Sequence, residues 1–200
     1  MEIVIENMEE PGEWVVLEYL HAANMSGDKL IITGSNSELD SMLSLYAAKK
    51  KTRKPRTTPM HVEEYCRGRS VILLDPSADK QLEPEEAGSV DCLVIGGILG
   101  DYPRRGRTRL LRERLPWAST RNLGNRQLSI DGAVYVVLEV MSGKRLDEIE
   151  LLENPVIKVD TPLGSVEIVL PFAYPVKNGE PMLAPGLLNY LVGKTQLLEH

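Results

Sequence analysis

Residues 94–101, Val-Ile-Gly-Gly-Ile-Leu-Gly-Asp, run an apolar strand straight into three glycines and a carboxylate. No other stretch constrains the fold as much. Glycine reaches positive φ and lets a ligand approach the main chain closely. A glycine turn at the end of a buried strand is where open α/β sheets bind their ligands. A second turn of this kind follows at residues 121–129, Arg-Asn-Leu-Gly-Asn-Arg-Gln-Leu-Ser.

Around these turns the pattern alternates between strand and helix. Strands are predicted at residues 2–5, 29–33, 70–74, 92–96 and 117–121. Helices are predicted at 14–23, 37–48, 83–87, 108–115 and 129–141, and a basic, proline-punctuated loop at 49–60. Such alternation argues for an α/β fold with a parallel sheet flanked by helices. After Ser142-Gly143 the composition changes. Residues 156–159 and 166–170 read as a β-hairpin around Thr161-Pro162-Leu163-Gly164, prolines then interrupt the chain, and residues 187–192 read as a terminal helix. The expected division is an α/β domain over 1–143 and a small C-terminal hairpin and helix extension over 144–197, with 198–200 read as the start of an expression tag.

Hydrophobic content of 42% and charged content of 26% are globular values, and 200 residues suit one ordinary domain with an appendage. The longest apolar run, residues 92–99, is too short to span a bilayer, and the acidic N-terminus is unlike a signal peptide. The reading is a cytoplasmic protein with no membrane partner. Cys66 and Cys92 lack metal-ligand spacing and read as buried free thiols, and no metal site is expected.

Charge is unevenly placed. Residues 49–56 carry +6 and residues 104–114 carry +5, so a net charge of −6 leaves −17 on the rest of the chain. The first segment reads as a solvated loop. The second reads as a solvated helix face or as a basic surface for RNA phosphates or an acidic protein.

Three strand ends form the candidate site: residues 74–76, 96–101 and 123–128. No lysine follows a glycine loop as in a P-loop, and the glycines do not have dinucleotide spacing. His21 and His61 lie in no turn of this kind and read as surface or interface residues, so no Ser-His-Asp set forms. Glycines, backbone polar groups and small apolar side chains suit a neutral or cationic adenosine compound better than a polyphosphate. Glu6, Glu9, Glu10, Glu13 and Glu18 crowd the first strand–helix unit. They read either as a solvated helix N-terminus, which acids stabilise, or as part of a site; Asp101 abuts the ligand turn directly.

Residues 5–10 (Ile-Glu-Asn-Met-Glu-Glu) with 14–19 (Trp-Val-Val-Leu-Glu-Tyr) resemble the opening of a family of SPOUT-superfamily methyltransferases that includes a protein arginine methyltransferase. Leu74-Asp75-Pro76, Gly96 to Asp101, Pro103 with Arg105, Arg107-Thr108 and Leu123 to Gln127 match in the same order. So do Pro171-Phe172 and residues 179–186, so the similarity spans nearly the whole chain. Asn7 departs from the family pattern, where a histidine is expected, and the basic loop at 49–59 is peculiar to this chain.

The resemblance implies a SPOUT-type sheet with a deep trefoil knot, one of the rare exceptions to ordinary chain topology, with the helix from Ser129 threaded through. It implies S-adenosylmethionine as cofactor, held by Leu74, Asp75, Pro76, Gly96, Gly97, Ile98, Leu99, Gly100, Leu123, Gly124, Asn125, Gln127 and Leu128. The expected acceptor is an arginine of a basic protein, such as a ribosomal protein. A guanidinium is almost always protonated and needs carboxylates to orient it and take a proton. Asp101, Glu6, Glu9 and Glu10 are the expected catalytic acids, with Arg105, Arg107, Trp14 and Glu18 contacting the substrate. RNA methylation is the alternative, with the arginine run holding phosphates; a non-catalytic cofactor-binding module is a third reading. The resemblance implies dimerisation through the knot, as in most relatives of the superfamily, but the C-terminal extension would cover that surface, so a monomer or weak dimer is expected.

Overall fold

The computed structural model describes residues 1–99, 106–162 and 164–198, with side chains as far as Lys194. Its frame is a parallel sheet of β1 (Glu2–Asn7), β2 (Leu30–Thr33), β3 (Arg56–Thr57), β4 (Val71–Leu74), β5 (Cys92–Gly97) and β6 (Ser119–Arg121). The spatial order is β3-β2-β1-β5-β4-β6. Each neighbouring pair is parallel, so all six strands start on one edge of the sheet and end on the other.

Alternation along the strands builds two cores. Ile3, Ile5, Leu30, Ile32, Ile72, Leu74, Leu93 and Ile95 face α1 (Glu13–Ser26), α2 (Ser37–Lys50) and α6 (Ile130–Met141). Val4, Ile31, Val71, Leu73, Cys92 and Val94 face α3 (Val62–Tyr65) and α5 (Thr108–Arg114). Successive side chains of a strand point to opposite faces, so a strand covered on both sides reads as one unbroken apolar run. Both cysteines are free and buried, as expected.

The helices carry local start and stop signals. Asn36 caps α2 by accepting the Leu39 N–H at 2.8 Å, and α2 buries Leu39, Leu43 and Ala47, one every four residues. Ser129 caps α6 by accepting the Gly132 N–H at 3.1 Å. The short α4 (Pro84–Ala87) opens on proline at its first position, where the missing N–H costs nothing.

Residues 151–198 form β7 (Leu151–Glu153), the hairpin of β8 (Val156–Thr161) and β9 (Gly164–Val169), then β10 (Ala173–Lys177), β11 (Glu180–Pro181) and α7 (Leu187–Leu198). β10 pairs antiparallel with β7 and β11, so the proline-rich stretch expected to be irregular holds a small sheet. Pro175 cannot donate, but its carbonyl accepts the Met182 N–H at 2.7 Å. This unit is tied to the main sheet where the Ala173 N–H donates to the Gln127 carbonyl at 2.8 Å. β3 inside the basic loop, and α3 after it, are further elements the sequence pattern did not indicate. No helix among the described residues is long and apolar enough to cross a membrane.

Candidate active site

The carboxyl ends of β4, β5 and β6 open onto one cavity of about 270 Å³. Its wall is Leu74 at the end of β4 with Asp75, Pro76 and Ser77 after it; Ile95 and Gly96 on β5 with Ile98 just beyond; and Leu123, Gly124, Arg126, Gln127 and Leu128 after β6. Gly106 and Arg107 before α5, Thr108 at its start and Ala133 of α6 complete it. The three turns singled out from sequence therefore meet in space, at the strand ends where open α/β sheets bind ligands.

Backbone geometry explains the glycines unequally. Gly124 has φ of +92°, which L side chains rarely adopt. At Gly96 a Cβ would lie 3.1 Å from Ile98 Cδ1 and 3.2 Å from Leu111 Cδ1. Gly97 does not line the cavity: a Cβ there would lie 2.7 Å from the Glu6 carbonyl oxygen, and closer still to Tyr19 Oη. Its lack of a side chain lets α1 pack on β5. Leu99 and Asn125 also lie outside the cavity wall. Gly100, Asp101 and Arg105 lie outside the described residues.

Asp75 is almost fully buried at the cavity wall. It accepts the Ser77 N–H at 2.9 Å, the Ser77 hydroxyl at 2.7 Å and Arg112 Nε at 3.0 Å, with a second bond from the same guanidinium. Burial pushes its carboxyl up, but the Ser77 and Arg112 bonds outweigh that, and the net shift is downward. Asp75 is thus a fixed carboxylate, paired with Arg112, at a cavity whose wall also carries Arg107, Arg126 and Gln127.

The expected acids separate into different environments. Glu9 is partly exposed and accepts Arg107 Nη2 at 2.6 Å, and the same nitrogen donates to the Leu99 carbonyl at 2.8 Å. The segment after β1 is thereby joined to the glycine turn and to the cavity. Glu10 is exposed. Asn7 Oδ1 accepts the Tyr19 hydroxyl at 2.8 Å, and its amide donates to the Glu9 carbonyl at 3.1 Å.

Glu6 corrects the expectation of a catalytic acid. It is fully buried in β1 and accepts from Thr33 Oγ1 (2.5 Å), the Val62 N–H (3.0 Å), His61 Nδ1 (2.7 Å) and Arg114 Nη2 (2.7 Å). With its oxygens committed, it ties β2, α3 and α5 to the central strand and has no face for a substrate. Glu18 and Trp14 are corrected in the same way. Glu18 is fully buried, accepting Trp14 Nε1 at 2.6 Å and the Ile130 N–H at 2.8 Å, so it clamps α1 to the start of α6. The Trp14 ring packs edge-on against Phe172, 6.1 Å between centroids, which anchors the C-terminal unit. His21, in turn, binds the buried Asp131 at 2.7 Å.

Ser77, Gly106 and Ala133 line the cavity without having been singled out from sequence, and Arg112, read there only as part of an arginine run for phosphates, binds Asp75 beside it. Only the position of Ser77, two residues after Asp75 in a turn beginning Asp-Pro, carried a readable signal. Among the described residues no His, Cys, Asp and Glu group could hold a metal ion.

Comparisons with known proteins agree with this geometry. The family described as protein arginine N-methyltransferase SFM1-like matches residues 2–197. Protein arginine N-methyltransferase SFM1 of Saccharomyces cerevisiae is 31% identical over 204 residues, covering 96% of this chain and 94% of the yeast protein. The crystal structure of yeast SFM1 complexed with SAH is similar at a TM-score of 0.81 and 29% identity, over 94% of this chain and 93% of that one. The crystal structure of dual-specific Trm10 from Thermococcus kodakaraensis shares the fold at a TM-score of 0.59 and 22% identity, over 74% of this chain and 95% of that one.

Proposed function

The chain belongs to the SFM1-like family of protein arginine N-methyltransferases, and on that premise we propose that it transfers a methyl group from S-adenosylmethionine to an arginine of a basic protein. It is then the SPOUT-superfamily methyltransferase its motifs resemble. The observation that carries this reading is the meeting of the 74–77, 95–98 and 123–128 turns around one cavity, with Glu9 linked to its wall through Arg107. Yeast SFM1, so similar in fold, has been crystallised with SAM as well as SAH.

The residues present fit the cofactor. A cavity of about 270 Å³ lies just below the roughly 300 Å³ at which small-molecule pockets begin. Leu74, Leu123, Leu128 and Ala133 offer apolar surface for an adenosine, and the backbone around Gly96 and Gly124 offers close approach without a side chain in the way. When bound, the cofactor supplies a methyl group on a positively charged sulfur. Asp75, kept ionised by Ser77 and Arg112, sets an ordered carboxylate–guanidinium pair beside the cavity.

For the acceptor, this chain must orient a protonated guanidinium and remove a proton as the methyl transfers. Glu9 is the described carboxylate placed to do both, with Glu10 exposed beside it to draw a basic protein segment. We assign Asp101 to the same acid group from its place in the sequence motif. The RNA reading has less support, because the described arginines before and within α5 are largely engaged with acids: Arg107 with Glu9, Arg112 with Asp75 and Arg114 with Glu6 and Glu63.

We further infer that α6 is the threaded segment of a trefoil knot. In support, residues 78–82 are strapped over the chain leaving β6: the Asn122 N–H donates to the Lys80 carbonyl at 2.8 Å, and the Leu82 N–H to the Asn122 carbonyl at 3.0 Å. The C-terminal unit packs on α1 and α6, which supports a monomer. Titrating SAH by calorimetry tests the cofactor half of this reading. Saturable one-to-one binding is expected, and binding that is unchanged by Leu128→Arg would contradict the placement in this cavity.

A further inference from the structure

The cavity lies where the strands end; the opposite edge, where they begin, has a different chemistry. Register places the starts of β1, β2, β4 and β5 level with one another, and the approaches to β3 and β6 join the same edge. Six strands spaced about 4.8 Å apart make this edge about 24 Å long.

Cations gather along it. Exposed Lys49 and Lys51 lie at the end of α2, exposed Lys54 leads into β3, and exposed Arg67 precedes β4. Three acids on this edge are already bound. Glu2 accepts Arg56 at 2.6 Å and Arg69 at 2.8 Å, joining cations from either side of β1. Asp28 pairs with Arg53, and Asp91 accepts the Ser70 N–H and hydroxyl, each at 2.8 Å.

At the β6 end of the edge, Arg67, Arg69, Arg114, Pro116 and Trp117 line a shallow groove that also includes Glu63 and Glu113. Glu63 is bound to Arg114 and Glu113 to Arg109. Trp117 is 49% exposed, an unusual setting for so large an aromatic ring. An extended cationic strip with an open aromatic ring is the arrangement that binds single-stranded nucleic acid: phosphates follow the cations and a base stacks on the ring. An acidic protein segment would use the cations but has no need of the ring.

We propose that this edge binds the backbone of single-stranded nucleic acid, with Lys49, Lys51, Lys54 and Arg67 on phosphates and Trp117 stacked on a base. The surface is separate from the methyl-transfer cavity, and its chemistry stands whether or not that cavity acts as proposed. The chain's overall charge of −6 repels polyanions elsewhere and confines binding to this edge.

Fluorescence anisotropy with short labelled RNA and DNA single strands, over a series of salt concentrations, tests it. Wild-type affinity should fall steeply with salt. The K49Q/K51Q/K54Q variant should lower the slope of log K against log salt by about 2, since each lost phosphate contact on a single strand removes about 0.7. W117A should weaken binding about fivefold or more at every salt concentration. All four side chains lie outside the candidate active site, so thermal stability and methyl transfer to a free protein acceptor should not change. Tighter binding of RNA than DNA would add a ribose contact, and equal binding would place recognition on phosphate and stacking; both support the proposal. It is overturned if neither strand binds at low salt, if the variants bind like wild type, or if a polyglutamate peptide binds as tightly as the strands.

Discussion

Arg107 Nη2 lies 2.6 Å from the Glu9 carboxylate and 2.8 Å from the Leu99 carbonyl, so a guanidinium of the chain itself bridges the acid after β1 and the turn after β5. Glu9 thus holds one of the chain's own guanidinium groups beside the cavity wall. Replacing it with glutamine keeps the shape and removes the charge and the base. We expect Glu9→Gln to lower kcat for an arginine acceptor by about 10²-fold with cofactor affinity unchanged. Steady-state kinetics beside SAH calorimetry checks this, and an unchanged kcat would remove Glu9 from the mechanism.

Asp75 and Arg112 make the second prediction. Arg112 is 46% exposed, so solvent screens the pair, and Arg112→Ala should cost about 1–2 kcal/mol in denaturant unfolding. Because the folded carboxyl of Asp75 is held down, the stability it contributes is complete above the unfolded value near pH 4 and is lost as pH falls further. Arg112→Ala should therefore flatten the acid limb of the stability curve and weaken SAH binding. A variant with the wild-type acid limb would contradict the coupling.

Glu18 should behave in the opposite sense. Its burial, and then the neighbouring Asp131 charge, push it well above the usual carboxylate range, against the pull of Trp14 and the Ile130 and Asp131 N–H groups. Its unfolded counterpart ionises near pH 4.3. Above that pH the native state binds more protons than the unfolded one, so this site makes stability fall as pH rises. Urea unfolding from mildly acidic to mildly alkaline pH should show that slope in wild type and a flatter one in Glu18→Gln.

Much of this was legible in the sequence. Ile3-Val4-Ile5 and Val71 to Leu74 read as strands because both faces are buried, and glycine runs marked the cavity turns because a close backbone approach leaves few other choices. The two-residue β3 was not legible, since Arg56 and Thr57 carry no apolar signal and are held by pairing with β2 alone. Nor was the burial of Glu6: its partners Thr33, His61, Val62 and Arg114 lie from 27 to 108 residues away along the chain, and no local pattern announces such compensation. Glu18 misled for the same reason, its charge reading as surface while Trp14 and Ile130 enclose it.

The glycines of the two turns should respond differently to alanine. At Gly97 the added methyl meets the Glu6 backbone at 2.7 Å and Ile5 Cγ2 at 2.9 Å, so Gly97→Ala should destabilise by about 2–3 kcal/mol. At Gly124 nothing lies within 4 Å, and only the positive φ opposes the change, so Gly124→Ala should cost about 1 kcal/mol or little more. Thermal unfolding of both variants orders them, and a more damaging Gly124→Ala would contradict the packing role given to Gly97.

Protein methylation itself is decided by transfer of labelled methyl from S-adenosylmethionine into a ribosome-containing extract, with the product divided between nuclease and protease digestion. The label should survive nuclease, be released by protease, and be recovered as methylarginine after hydrolysis. Label lost to nuclease would contradict arginine as the acceptor and make the chain an RNA methyltransferase instead.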